Sequence, residues 1–236
     1  KYSMVGHLRN NTKTWMFGAS TSFSKEIIKN LHNPIVFGRH NVDYTMPEKF
    51  IKEHISQYVS SIISPEDGPL NIVINVNLGV YTGIHRDSKK EQTQTTLPTF
   101  KSFFLTISPN IFFFYSLLSE MNRLKIPVKV CYVTSTYGNT SMKDKKEHLP
   151  VVGKIDYPIN FKYSSARLVQ QSAMISQISD TCQVLGVNPA GLEDGDNISK
   201  YAKEIADLIY KSPADNQWNK IYCLKSGVWY GYFWDE

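Results

Sequence analysis

A chain of 236 residues with 42% hydrophobic side chains can bury one substantial core, and its 20% charged residues are too few and too interspersed for long disorder. The formal charge of +5 suits an anionic ligand such as a dinucleotide, while the short run Lys143-Asp144-Lys145-Lys146, with no interleaved aromatics, argues against a nucleic-acid groove. Three distant cysteines and six histidines without ligand spacing exclude a disulfide scaffold and a legible metal site, and the absence of a signal core or a bilayer-length apolar run predicts a cytoplasmic protein with no membrane partner.

Short β-rich runs alternate with helical patterns, which predicts βαβ units and a mainly parallel sheet. The first strand is Thr14-Trp15-Met16-Phe17, ended by Gly18, and a helix opens near Ser22 and runs through Ile27, Ile28 and Leu31. A second strand, Pro34 to Phe37, stops at Gly38-Arg39. A helix then begins at Pro47, a favoured first-turn position, with Ile51, Ile55, Val59 and Ile62 on its apolar face. Leu70 to Asn75 reads as a buried strand, Asp87 to Thr96 as a polar loop, and Phe100 to Met121 as a long apolar helix interrupted or begun at Pro109. Val128 to Thr134 is another strand, followed by a polar stretch from Asn139 to Lys154. Ser164 to Thr181 reads as a helix, Gln183 to Val187 as a strand, Ile198 to Lys211 as a helix and Lys220 to Leu224 as a last strand. No repeat and no internal linker is visible, so residues 1–236 are expected to form a single doubly wound α/β domain of about seven strands.

The turn Phe17-Gly18-Ala19-Ser20-Thr21-Ser22-Phe23-Ser24 joins the first strand to the first helix. In a dinucleotide-binding α/β fold that turn brings backbone N–H groups and a helix N-terminus to a pyrophosphate, and glycines let the backbone approach it. The turn resembles the TGxxxGxG loop of short-chain dehydrogenases/reductases, with Ser22 and Ser24 in place of two glycines; serine is small, and its hydroxyl can donate to phosphate. Asn41 to Glu48 is similar to the family's Asp-x-Thr-x-Pro-Glu stretch, which implies that Asp43 lies beside the adenine. The short interval from Arg39 to Asp43 resembles the abbreviated form found in dTDP-4-dehydrorhamnose reductases. The run from Ile72 to Gly79 resembles the strand ending in Asn-Asn-Ala-Gly, with one extra residue, so that Asn75 or Asn77 takes the sheet-steadying role and Gly79 the close approach to the cofactor. Pro189 and Gly191 resemble the Pro-Gly turn that cradles the nicotinamide. Arg39, directly after the second strand and without an acidic neighbour, suits a 2′-phosphate and points to NADP(H) over NAD(H).

Val130 to Gly138 resembles the strand that ends in the family's catalytic serine, which places Ser135 there. Tyr163-Ser164-Ser165-Ala166-Arg167 resembles its Tyr-x-x-x-Lys, with Arg in place of Lys. Residues four apart on a helix share a face, and a tyrosine with ordinary pKa ~10 needs a nearby cation to work near neutrality. Arg167 keeps that charge, but its guanidinium never gives up its proton. The order of these motifs covers nearly the whole chain. The resemblance implies an NAD(P)(H)-dependent oxidoreductase acting on a carbonyl, alcohol or nucleotide-sugar-like substrate. The changed glycines and lysine leave a catalytically silent Rossmann module for binding or assembly as the alternative. The apolar surface of the helices 100–121 and 164–181 predicts a homodimer or homotetramer. The aromatic tail Val228 to Trp234 is expected either to join that contact or to fold over the substrate pocket. Trp15, beside the cofactor turn, is expected to report binding by its fluorescence.

Overall fold

The computed structural model describes residues 13–38, 40–61, 68–76, 112–134, 171–189, 195–211 and 217–231. Its seven strands are β1 (Thr14–Phe17), β2 (Ile35–Phe37), β3 (Leu70–Ile74), β4 (Val128–Val133), β5 (Cys182–Asn188), β6 (Ile221–Cys223) and β7 (Val228–Tyr230). They form one sheet in the order β2-β1-β3-β4-β5-β6-β7. Every pairing is parallel except that of β6 with β7.

The strands alternate because a side chain every second residue faces the same side of the sheet. Trp15, Phe17, Ile72, Ile74, Val130 and Tyr132 enter one core layer, whereas Met16, Val73, Cys131 and Val133 enter the other. Both layers are covered, so central strands such as Leu-Asn-Ile-Val-Ile are buried throughout, as parallel sheets require. On the first face lie α2 (Pro47–Phe50), a π-helical turn (Ile51–Ile55), α3 (Ser56–Ser61), α4 (Phe114–Arg123) and the helical residues 171–175. They supply Phe50, Ile55, Leu117, Leu118, Met121 and Met174 to the core. On the second face α1 (Ser22–Asn30) packs beside α5 (Gly195–Lys211), burying Phe23 and Ile27 against Tyr201, Ala202 and Ile205. One sheet with helices on both faces is a Rossmann-type α/β architecture.

Three expectations are corrected. The helix read to Thr181 is helical only to residue 175, and turns follow at 176–177 and 180–181. Ser179 explains the early stop: its hydroxyl accepts from the amides of Thr181 and Cys182 and donates to Asn122 Oδ1, which stabilises a turn in place of another helical turn. Val228–Tyr230, read as lying beyond the last strand, is itself the antiparallel edge strand β7, with Trp229 tilted against Tyr222 at 4.9 Å between ring centroids. The hairpin turns at Gly227, whose φ of 68° favours glycine. Trp15 is 3% exposed and set edge-on to Phe37, Phe50 and Tyr58, so its ring packs in the core rather than beside the cofactor turn. The long apolar helix is described from residue 112 onward, and residues 100–111 lie outside the described set.

Candidate cofactor site at the sheet switch point

The chain leaves β1 for β2 on one side and returns to place β3 on the other, so the direction of winding reverses between β1 and β3. In open α/β sheets ligands bind outside the carboxyl ends of the strands at this reversal. Gly18 follows β1 there, and Asn75 follows β3.

Gly18 donates its N–H to Phe37 O at 2.9 Å, while Asn75 donates its N–H to Phe17 O at 2.9 Å, so both neighbouring strands close around the end of β1. Gly18 has φ 90°, and a Cβ built on it would lie 2.2 Å from Asn75 O. This glycine is demanded by the backbone of β3, inside the protein, rather than only by a phosphate outside it.

The helix α1 starts from Thr21, whose φ of −86° and ψ of 156° are extended and whose Oγ1 accepts from the Ser24 amide at 3.0 Å. That is an N-cap, a role threonine fills well. Sequence reasoning placed the helix start near Ser22 without identifying the cap; a threonine directly before an amphipathic run was the available signal. Lys25 donates its amide to Thr21 O. The amides of Ser22 and Phe23 have no partner among the described residues, and they sit at the positive end of the helix dipole. Ser20 and Ser22 are exposed beside them.

The two serines that stand at glycine positions part company here. Ser22 faces solvent at the first turn, but Ser24 is fully buried. Ser24 Oγ accepts from Thr21 Oγ1 at 3.0 Å and from Asn75 Nδ2 at 2.9 Å. Its hydroxyl is directed into the fold, which corrects the expectation that it donates to phosphate. Phe23 likewise turns its ring into the core at 4% exposure, leaving its backbone N–H as the only part of it that could meet a ligand. Of the two asparagine candidates, Asn75 is the one whose buried side chain is tied into the turn; Asn77 lies outside the described residues.

After β2 the backbone is closed by Asn41, whose Oδ1 accepts from the Gly38 amide and whose Nδ2 donates to Val36 O at 3.0 Å. β2 is the edge of the sheet, no strand lies among residues 40–46, and the Asn41 and Val42 amides return to Gly38 O. Asp43 is exposed and accepts from the Thr45 amide at 2.9 Å and from the Thr45 hydroxyl. Those hydrogen bonds, from the side chain first, hold its carboxyl below the usual range. It is therefore an ionised acceptor on the exposed segment that follows β2. Pro189 is buried directly after β5. Arg39, Gly79, Ser135, Tyr163, Arg167 and Gly191 lie outside the described residues, as do the polar stretches 87–96 and 139–154. Among the described residues no cluster of His, Cys, Asp or Glu could hold a metal ion, and no helix is long and apolar enough to cross a membrane.

No family model and no curated protein matches the chain. Solved structures do resemble it. A carbonyl reductase from Pseudomonas aeruginosa PAO1, in complex with NADP, superposes with a TM-score of 0.57 at 8% identity, over 91% of this chain and 97% of that one. A short-chain dehydrogenase/reductase variant from Serratia marcescens superposes with a TM-score of 0.52 at 12% identity, over 85% and 90%. A GDP-6-OMe-4-keto-L-xylo-heptose reductase from C. jejuni matches 78% of this chain at 16% identity and a TM-score of 0.46, and the match spans 48% of that enzyme, about half its length. The chain has the fold of the short-chain dehydrogenases/reductases.

Proposed function

We propose that the chain is an NADP(H)-binding oxidoreductase of the short-chain dehydrogenase/reductase type, acting on a carbonyl or alcohol, with nucleotide-sugar-like compounds among the substrates to test. The carrying observation is the turn at the switch point, where the amides of Ser22 and Phe23 have no partner among the described residues and Ser20 and Ser22 are exposed beside a capped helix N-terminus. That arrangement fits a pyrophosphate, because two aligned N–H groups and the helix dipole act together on negative charge. Asp43 supplies an ionised acceptor on the adenosine side. Arg39 follows β2 in the chain and supplies a fixed positive charge suited to a 2′-phosphate. The NADP in the Pseudomonas aeruginosa structure supports the same choice of cofactor.

For the chemistry, a bound nicotinamide supplies the hydride. Tyr163 donates the proton to the forming alkoxide, Ser135 holds the substrate oxygen, and Arg167, four residues after Tyr163 in the sequence, favours the tyrosinate by charge. Ser135 follows Thr134, which is paired to Val187 at the carboxyl edge of β4 and β5. Gly79, Pro189 and Gly191 line the nicotinamide side in this reading. Residues 1–236 act as a single domain, and homodimer or homotetramer assembly uses the face of α4, where Tyr115 and the preceding Phe112 remain 45% and 51% exposed. Sedimentation at micromolar concentration that gives a monomer would overturn the assembly.

Titration with NADPH and NADH, read by the fluorescence of the reduced nicotinamide, tests the binding. Consumption of NADPH with a panel of carbonyl compounds tests the reaction. One observation favours a silent module as the second reading: Thr21 already occupies the Ser24 amide, so fewer N–H groups are open to phosphate than at an uncapped helix start. NADPH binding without turnover on any carbonyl would select that reading, and no binding of either cofactor would remove the first.

A further inference from the structure

Ser24 replaces a glycine and yet points away from any ligand at the turn, so its hydroxyl needs another explanation. It accepts two hydrogen bonds, from Thr21 Oγ1 at 3.0 Å and from Asn75 Nδ2 at 2.9 Å. Thr21 Oγ1 in turn accepts from the Ser24 amide. Asn75 is also fixed through its backbone, since its N–H donates to Phe17 O. Ser24 thus bonds on one side to the helix cap and on the other to the end of β3, buried at Ser24 and Asn75 and partly buried at Thr21. Ser24 is fully buried and Asn75 is 7% exposed, so water does not readily replace a lost bond.

We propose that Ser24 is a positioning residue, which with Thr21 and Asn75 locks the first turn of α1 to β3 and thereby holds the Ser22 and Phe23 amides toward a pyrophosphate. The inference rests on the dinucleotide reading above and adds the device that aims the turn. In the glycine pattern a missing side chain lets helix and strand approach. In this chain a small hydroxyl fills that contact and converts it into a hydrogen-bonded joint. Ser24 and Asn75 are buried away from the turn's surface, so their influence on binding passes through the direction of the two free amides. Charge-assisted N–H bonds to phosphate depend steeply on that direction.

The test uses the whole chain and NADPH, with 2′-AMP as a second ligand that carries the adenosine 2′-phosphate but no pyrophosphate. Ser24→Ala removes the shared acceptor, Thr21→Val removes the cap and donor at nearly constant shape, and Thr21→Ser keeps the hydroxyl. All are measured well below their melting temperatures. Ser24→Ala and Thr21→Val should raise the Kd for NADPH on the order of tenfold, the loss of about one charge-assisted bond. They should leave competition by 2′-AMP within about twofold, and Thr21→Ser should bind NADPH like the parent, since it retains the hydroxyl. Unchanged NADPH affinity in both variants overturns the positioning role. An equal loss for NADPH and 2′-AMP overturns it too, because general loosening of the fold then accounts for the effect. Failure of the unmodified protein to bind NADPH overturns the dinucleotide reading itself, and the inference with it.

Discussion

Replacing Gly18 by alanine should destabilise the protein and disable the turn together, because two independent constraints meet at this residue. Its φ of 90° is a conformation that costs a residue with a Cβ on the order of 1–3 kcal/mol. The added Cβ would also sit 2.2 Å from Asn75 O, a backbone atom that cannot rotate away. Relief needs the end of β3 to retreat by more than 1 Å, roughly the shortfall from ordinary van der Waals contact, which strains the bond from the Asn75 amide to Phe17 O. That hydrogen bond contributes about 1 kcal/mol net. Together the effects amount to roughly 2–4 kcal/mol, a large part of the ~5–15 kcal/mol that holds a domain folded. For a chain of this size the midpoint of thermal unfolding should fall by roughly 5–15 °C. Gly38→Ala is the internal control: its backbone is not in the left-handed region, and the nearest atoms to a new Cβ are 3.8 Å away. It should melt within about 2 °C of the parent, as an uncrowded substitution does. Melting followed by circular dichroism decides the comparison. Gly18→Ala melting alongside Gly38→Ala would refute the argument that β3, rather than a ligand, requires this glycine.

Gly186→Ala should also destabilise, by roughly 1–3 kcal/mol as for an overpacked core, because its Cβ would meet Tyr132 Cζ at 2.9 Å; urea unfolding measures it. Arg39→Ala should weaken NADPH more than NADH in parallel titrations, and equal losses would show that this arginine does not read the 2′-phosphate. Tyr163→Phe should lower kcat on the order of 10²–10⁴ while leaving NADPH affinity in place, and Arg167→Lys should preserve or raise turnover. Burial, followed by the hydrogen bond to Glu204, pushes the Tyr222 hydroxyl up to about 12 from an ordinary 10. The neutral phenol is thus favoured in the folded state. Its contribution is complete below about pH 10 and is lost as pH rises toward 12. Tyr222→Phe should flatten that alkaline limb in pH-dependent denaturation.

The alternation of strands and helices was legible because a parallel sheet covered on both faces leaves nearly continuous apolar runs, as at Leu70–Ile74 and Val128–Val133, broken only at Asn71 and Lys129. The first turn of α1 was legible for the same kind of reason, since Gly18 breaks the run directly after Phe17. What escaped depended on contacts distant in sequence. The three residues of β7 become a strand only by pairing with β6, and nothing local distinguishes them from an exposed aromatic tail. The helix at 171–175 ends where Ser179 can bond to Asn122, 57 residues away, a partner invisible in the periodicity. Trp15 looked close to the turn along the chain, but the strand's alternation sends its ring into the first core layer.

The same distinction governs how a weakened motif should be weighed. Counting glycines treats positions 22 and 24 as equal losses, yet they lie on opposite sides of the turn's surface. At position 22 the new side chain stands in solvent beside the two free amides, where it can hinder a phosphate or hydrogen-bond to it. At position 24 the new side chain never reaches that space, and its hydroxyl links Thr21 to Asn75. Whether the two missing glycines help or hinder binding is therefore decided at Ser22. Ser22→Gly should then sharpen NADPH binding if the hydroxymethyl group obstructs the pyrophosphate, and weaken it if the hydroxyl donates. Ser24→Gly should weaken binding in either case, because it restores the family pattern while removing the joint. A chain whose turn had simply decayed from a binding loop would gain from both replacements. Opposite signs at the two positions would instead show a turn rebuilt around a buried serine.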